Sequence, residues 1–488
     1  MNPMRILSDK GAQAETLRNT NHYEEIMKSR DILAMGMPKV LLKQAQQMLQ
    51  AASLGGVKKR ALPGLIDAVL SHPEAHLDDP AAGELASALL EYRAATRFEP
   101  RSVPAPWRQW GEDLDPQSVQ QLHNACALPV AVRGALMPDA HLGYGLPIGG
   151  VLATRNAAIP YAVGVDIACR VKLSVLDLPI DTLESKRDQL TKVLLRETQF
   201  GVGAKFDKRR EHDVMDLDWN ITPITRRNRD KAWSQLGTSG GGNHFVEYGI
   251  FSVGDDSLGL PAGKYLAILS HSGSRGTGSS VCDEYSRRAM ALRPELPKEL
   301  KHLAWLDLDT EDGQEYWAAM NLMGEYASAN HACIHRHMVK ALGARVRLDL
   351  ENHHNFAWKE NHGGEELIVH RKGATPAGAG VLGIIPGTMA NPAYVVRGLG
   401  HPDSLNSAAH GAGRVMSRSK AVQTLNWRDA RAYLAERGVT LLSAGIDEVP
   451  AVYKDIQSVM RAQSDLVVAV AQFQPKLVRM AEHGPAED

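Results

Sequence analysis

The sequence predicts an α+β fold, with mixed sheets and surrounding helices preceded by a helical N-terminal region. Three observations carry this reading. Residues 1–105 show helical apolar spacing and no β-like run. Beyond Val130, short β-like runs are interrupted by Gly-rich loops. Helical stretches separate those runs irregularly, without the strand–helix alternation of a doubly wound sheet.

In the N-terminal region, Lys39–Ala52 (KVLLKQAQQMLQAA) has helical apolar periodicity, and Gly55-Gly56 stops it. Leu65–Leu70 and Ala82–Tyr92 read as further helices, and Arg101–Trp107 (RSVPAPW) reads as a linker. The expected division is a helical extension over 1–105 and a second domain over 106–488. In that domain the β-like runs are GGVLAT, KLSVLDL, YLAILSH and ELIVHR. The expected helices lie at 184–196, 281–292, 313–343 and 449–473, the last including the apolar stretch Leu466–Ala471.

The 488 residues are 44% hydrophobic and 23% charged, enough to build a sizeable core. Net charge is −1, so any nucleic-acid surface must be local. Cys126, Cys169, Cys282 and Cys333 form neither a CxxC pair nor a secreted disulfide framework. The N-terminus has no apolar signal core, and no run approaches the roughly 18 apolar residues of a membrane helix. The expectation is a cytoplasmic protein with no membrane partner.

Nineteen histidines are present, several in Gly-rich loops rather than in periodic core positions. Met137–Gly145 (MPDAHLGYG) puts Asp139 and His141 on a Gly-rich turn. Val163–Cys169 (VGVDIAC) spaces Asp166 and Cys169 three apart, on one side of a helical turn, where a carboxylate and a thiolate can share a metal ion. Leu236–Glu247 (LGTSGGGNHFVE) offers backbone N–H groups to an anion and His244 to a metal. His271–Gly276 (HSGSRG) follows a β-like run and suits a metal ligand beside an arginine. In Glu351–Asn355 (ENHHN) adjacent histidines point different ways, so at most one is a ligand. Arg371–Ala374 (RKGA), Ile385–Met389 (IPGTM) and Ala409–Arg418 (AHGAGRVMSR) follow, the last with His410 among small residues. Singly, each has a bland reading as a turn, a cap or a packed cysteine. Together they supply the thiol, carboxylates, imidazoles and arginines of metal-assisted phosphoryl or nucleotidyl transfer. Gly378–Gly383 matches GxGxxG by letter, but follows no expected strand and opens no expected helix, so a dinucleotide site is rejected.

In this order, from Met137 to Ser464, the motifs closely resemble the RtcB family of RNA ligases. That resemblance implies an enzyme joining RNA 3′-phosphate or 2′,3′-cyclic phosphate ends to 5′-hydroxyl ends, in RNA repair or tRNA splicing, with GTP and Mn²⁺. It implies two metal ions held by Asp166, Cys169, His244, His271 and His354, with Cys169 bridging, and His410 as the residue that receives GMP. Asn243, Glu247, Asn355, Thr388, Gly411, Ala412, Gly413, Tyr453 and Arg479 are the implied nucleotide contacts. Asp139, Arg275 and Arg414 are the implied RNA or phosphate contacts. The implied partners are RNA, tRNA included, and GTP, with room for an accessory activator. Ligand type alone suggests zinc, because thiolate with imidazole is a softer set than manganese prefers.

Four departures from the family's usual pattern stand out. DIACRV replaces DIGCGM and puts Arg170 beside the thiolate. Ala390 and Ala393 stand where Gly and Ser are usual. The chain ends PKLVRMAEHGPAED instead of in Lys-Gly, with Arg479 or Lys476 the nearest bases. The N-terminal region is additional. These bear on nucleotide choice and substrate range. The alternatives are other damaged nucleic-acid ends, another nucleotide, or a non-catalytic RNA-end-binding protein.

Overall fold

The computed structural model describes residues 27–95, 98–482 and 484. The chain divides into two compact units, one ending at Arg97 and the other beginning at Phe98. In the first, helices Ser29–Ala34, Leu42–Leu54, Leu62–Ser71 and Gly83–Ala95 enclose a core that includes Ile32, Leu49, Ile66 and Leu89. Pro63 lies in the first turn of its helix, where a missing N–H costs nothing.

The second unit is built on two sheets, the α+β architecture expected. The five-stranded sheet runs in the order Trp107–Gln109, Ala131–His141, Ile148–Thr154, Glu365–Lys372, Asn355–His362. The eight-stranded sheet runs Leu382–Ile385, Ala393–Gly398, Val467–Met480, Phe245–Val253, Gly263–Ser272, Arg170–Leu176, Val346–His353, with Thr440–Ser443 alongside Val467–Met480. Side chains alternate across it. Val246, Tyr248 and Ile268 pack with Leu190, Val193, Ile334 and Met338 of helices Arg187–Glu197 and Glu311–Leu342. Val171, Leu173, Phe251 and Leu269 form a core on the other face.

One edge of this sheet gathers several chain segments. Because neighbouring strands are antiparallel, two of them start where their partners end: Arg170 pairs with Ser272 and His353, and Phe245 with His271. Residues flanking those positions project from a single sheet edge.

Three expectations are corrected. Residues 449–473 are not one helix: a short 3₁₀ turn and helix Ile456–Ala462 lead into the strand Val467–Met480. The β-branched Val467, Val468 and Val470 favour the strand, and the register shifts at Pro475, which has no ladder donor. Asp166 and Cys169 share no helical turn. Helix Pro160–Val163 ends before them, and a turn with Ala168 at φ 58° precedes the strand. Finally, Gly378–Gly383 does follow a short strand, Ala374–Pro376, but it runs into the strand Leu382–Ile385, so the dinucleotide reading still fails.

Candidate functional site

Four strand ends and one turn bring Asp166, Cys169, His244, His271 and His354 together. All five are buried. The Cys169 thiol lies 3.1 Å from His271 Nε2 and 3.5 Å from His244 Nε2. His271 Nε2 lies 3.2 Å from His354 Nε2. Asp166 Oδ2 lies 3.2 Å from His244 Nε2. Two overlapping ligand groups result, Asp166–Cys169–His244 and Cys169–His271–His354, and Cys169 belongs to both.

Local structure fixes each member. The Cys169 carbonyl accepts from the His354 N–H at 3.0 Å, and the Asn355 carbonyl from the Ala168 N–H at 2.6 Å, tying the turn to the strand end opposite. Asp166 Oδ1 accepts from the Ser274 N–H at 3.0 Å. A Cβ on Gly273 would come within 2.0 Å of Asp166 Oδ2, so only glycine fits there. His271 Nδ1 donates to the Asn243 carbonyl at 3.2 Å, which leaves its Nε2 lone pair aimed at the thiol. Burial pushes His271 down to about 3 and His354 well below its ordinary value, so both imidazoles are neutral and able to bind a metal.

The donor set fits a divalent cation. Asp166 Oδ2, His244 Nδ1 and His354 Nδ1 are buried without a hydrogen-bond partner. The Nε2 atoms of three imidazoles, a thiol and a carboxylate crowd one another at 3.1–3.5 Å, while the unpaired Nδ1 atoms of His244 and His354 lie on the far sides of their rings. Such a cluster is costly unless a cation or protons bridge it.

Beside the cluster, His410 follows the strand Ser407–Ala409. Its Nδ1 meets Asp139 Oδ2 at 2.7 Å, and the His410 and Gly411 N–H groups donate to the same oxygen at 3.2 Å. Asp139 is fully buried. The carboxylate therefore holds the proton on Nδ1 and leaves Nε2 as the basic, nucleophilic nitrogen. The His410 and His354 ring centroids are 4.8 Å apart. A Cβ on Gly413 would strike the Asp139 carbonyl at 2.1 Å, so this loop can pass Asp139 only with glycine.

A cavity of about 820 Å³ opens over both groups. Its lining includes Glu247, Thr388, Met480, Arg414 and Tyr453, and also His141, Leu142, Tyr144 and Lys372. The Glu247 carboxyl has no hydrogen-bond partner among the described residues, and burial raises it well above its ordinary value. Tyr453 donates its hydroxyl to the buried Glu448 carboxylate, which Arg414 and Arg418 also approach.

A family model described as tRNA-splicing ligase RtcB matches residues 121–222 and 217–481. The RNA-splicing ligase RtcB of Escherichia coli (strain K12) is 35% identical over 399 residues, covering 75% of this chain and 95% of the relative. The RNA-splicing ligase RtcB of Mycobacterium tuberculosis is 33% identical, covering 73% and 98%. The tRNA-splicing ligase RtcB of Nanoarchaeum equitans is 31% identical, covering 73% and 90%. The chain belongs to the RtcB family.

Within the RtcB frame, Asn243, Asn355, Thr388, Gly411, Ala412 and Gly413 all line the cavity. Asn355 accepts from the Gly373 N–H at 2.7 Å, and the Thr388 hydroxyl donates to Asn391 at 2.7 Å. Three residues lie elsewhere than expected. Asp139 is not placed to touch phosphate, because its side chain is buried under His410. Arg275 is 1% exposed, with guanidinium bonds to the Thr238 hydroxyl and the Gly201 carbonyl, and it does not line the cavity. Arg479 faces away from the cavity, because strand alternation gives that side to Met480. Arg170 points to the far face, onto Glu351 and the Gly324 carbonyl, and leaves the thiol undisturbed. Of the adjacent histidines, His354 joins the cluster while His353 stacks on Trp358.

Sequence reasoning gives no role to Lys372, which lines the cavity, and whose buried ammonium is lowered to about 8 by burial. The signal is available in the RKGA motif. Glu448, the acceptor for Tyr453, also goes unmarked, and no local pattern distinguishes it from a surface acid.

Proposed function

We propose that this chain is an RNA ligase that joins a 3′-phosphate end, or a 2′,3′-cyclic phosphate end after hydrolysis, to a 5′-hydroxyl end through a His410–GMP intermediate. The chemistry sits in residues 106–488, with residues 1–105 as an extension. The observation that carries this reading is His410, with Nδ1 fixed on a buried carboxylate beside a Cys/His/Asp metal cluster. Family membership supplies the substrate class.

Asp166, Cys169, His244, His271 and His354 would hold two divalent cations, Mn²⁺ in this reading. When bound, they would neutralise phosphate oxygens and raise the electrophilicity of phosphorus. Everything else falls to the chain's own groups. His410 Nε2 attacks the α-phosphorus of GTP, an N–P bond forms, and pyrophosphate leaves. Asp139 keeps the Nδ1 proton in place and stabilises the charge that develops on the ring. The RNA 3′-phosphate then takes GMP from His410, giving an activated diphosphate. The RNA 5′-hydroxyl attacks the phosphate attached to the RNA 3′-end, and GMP departs. Arg414 and Lys372, both in the cavity lining, supply positive charge.

Glu247 selects guanine where it ionises against it: the ring N–H and the exocyclic amine of guanine are two donors that offset the burial holding the carboxyl protonated in the free chain, whereas a carboxyl that stays protonated matches the acceptor and amine of adenine. Ala393, which lines the cavity, and its buried neighbour Ala390 supply no hydroxyl there, and the Thr388 hydroxyl is already bonded to Asn391. This favours, as a second reading, the same chemistry with a relaxed choice of nucleotide.

Incubation with each of four α-labelled nucleoside triphosphates and Mn²⁺ tests both readings. An acid-labile adduct with GTP alone supports the first, and adducts with several nucleotides support the second. No adduct with any nucleotide, on protein shown to be metal-loaded, rejects both and leaves a non-catalytic RNA-end-binding protein.

A further inference from the structure

The cavity lining ranges from closed to open. Glu247 is 3% and Met480 4% exposed, whereas Leu142 is 50% and Tyr144 65% exposed. Tyr144 therefore presents a large aromatic ring to solvent at the lip of the cavity, where a ligand can cover it.

The backbone that carries the ring is held in place. Gln121 clamps Gly143 from both sides, donating to its carbonyl and accepting from its N–H at 3.1 Å. Lys372 Nζ donates to the Tyr144 carbonyl at 2.6 Å. Gly145, at φ 70°, packs so closely on His302 that a Cβ would come within 2.7 Å of its carbonyl. Among the described residues the only ring partner of Tyr144 is His302, at 5.6 Å between centroids and 63° between planes. His302 is itself braced by Tyr161 at 4.7 Å. Lys372 also fixes the position relative to the chemistry. Its neighbour Gly373 abuts His410, where a Cβ would lie 3.1 Å from Cε1, so Lys372 and Gly373 link the Tyr144 backbone to the loop that carries the reacting imidazole.

We propose that Tyr144 is a stacking platform for a nucleobase of the RNA strand, at or next to the end brought to His410. An exposed ring at the mouth of a phosphate-handling cavity matches what single-stranded RNA offers: an unpaired base with a π-face on every residue, and a charged backbone that Lys372 complements. The position rests on the ligase reading above, because it assigns the open part of the lining to RNA.

The test uses the full chain and a short RNA ending in a 3′-phosphate, with 2-aminopurine as the terminal or penultimate base. Wild-type protein is expected to quench the probe on binding. Tyr144→Phe keeps the ring and should bind within about twofold. Tyr144→Ala should bind about five- to a hundredfold more weakly and without quenching. An abasic residue at the probed position should cost wild-type protein the same factor and cost Tyr144→Ala nothing further, since a shared contact is lost only once. The abasic arm needs only wild-type protein, so a loss of less than twofold there overturns the platform even where the alanine variant fails to fold; in that case Tyr144→Leu completes the cycle. Unchanged affinity in Tyr144→Ala, a loss in Tyr144→Phe as large as in Tyr144→Ala, or additive losses in the variant and the abasic RNA each overturn the platform. The first of these would turn the exposed ring over to a protein partner. A wild-type protein that forms no nucleotide adduct rejects the ligase reading instead, and the RNA titration still decides on Tyr144.

Discussion

Two groups of buried histidines lie on opposite sides of the same strands, and they are built to opposite rules. On the cavity side, His244, His271 and His354 turn ring nitrogens toward Cys169, Asp166 or one another, at 3.1–3.5 Å. On the helix side, hydroxyls and a carbonyl satisfy every ring nitrogen of His331 and His335. His331 reaches the Ser270 hydroxyl at 2.8 Å and the Ser272 carbonyl at 3.0 Å. His335 reaches the hydroxyls of Ser174 at 2.7 Å and Ser270 at 2.8 Å. Burial does not separate the groups, because it lowers His271, His331 and His335 alike to about 3. What separates them is the partner: the cavity-side ring nitrogens face a thiol, a carboxylate and one another, a set that can hold a metal, whereas the helix-side ones face hydroxyls and a carbonyl.

The sharpest test of this contrast is Cys169, the one residue shared by both ligand groups. Cys169→Ala should lose both bound ions and all measurable nucleotide adduct, because a methyl group can replace neither a bridging thiolate nor its charge. Metal content by elemental analysis and adduct yield on the same sample check this. Full metal occupancy in the variant would remove the cavity-side histidines from the category in which the comparison places them.

His410 stands between the two rules, with one nitrogen satisfied by Asp139 and the other left for chemistry. His410→Ala should retain bound metal, form no adduct, and still join an RNA already carrying the diphosphate-linked guanosine. Asp139→Asn should retain metal and nucleotide affinity, but slow adduct formation on the order of 10²–10⁴-fold. The amide that replaces the carboxylate can donate to Nδ1 and drive the proton to Nε2, the wrong nitrogen. Loss of metal in either variant would make His410 a ligand rather than the acceptor.

How much of this is legible in the sequence depends on which side of a strand a residue faces. Cys169, His244, His271 and His354 can be picked out because they stand at loop boundaries in motifs with little packing role. Their convergence requires knowing that four strands begin or end at one sheet edge, which no local pattern states. Arg275 and Arg479 are misplaced for the same reason: an arginine beside a motif residue reads as a phosphate clamp until strand alternation or helix direction turns it inward. Asp139 stands out in its motif but is given the wrong partner, because its contact with His410 spans 271 positions. The strand Val467–Met480 reads as helix because its apolar run is as short as a helical turn pair, and an amphipathic pattern outweighs the β-branched valines. The fold class survives these errors because it depends on the irregular order of elements rather than on any one boundary.

On the helix side, Ser270→Ala should affect stability and little else. Removing one hydroxyl leaves His331 Nδ1 and His335 Nε2 without partners in a dry layer, at a cost of about 1–3 kcal/mol for each group left unsatisfied. Metal content should stay at the wild-type level. Urea unfolding combined with metal analysis reads both quantities. A variant of normal stability that loses metal would show that the two histidine groups are one device.

The smallest expected effect comes from Arg479, on the side of its strand turned away from the cavity. Its guanidinium donates to the carbonyls of Leu194 at 3.2 Å, Leu195 at 2.8 Å and Thr198 at 2.9 Å, and to the Thr198 hydroxyl at 3.0 Å. These carbonyls belong to the end of helix Arg187–Glu197 and the residue after it, where a cation is favoured by unpaired acceptors and by the helix dipole. The Phe200 ring lies 5.4 Å from the guanidinium carbon and completes its seat. Arg479→Ala should therefore lower stability by about 1–2 kcal/mol while leaving the nucleotide KM for adduct formation essentially unchanged. Arg479→Lys should recover part of the stability, since an ammonium reaches fewer of the four oxygens. A tenfold rise in nucleotide KM at unaltered stability would instead return Arg479 to the nucleotide site. It would also mean that this strand end turns over when nucleotide binds.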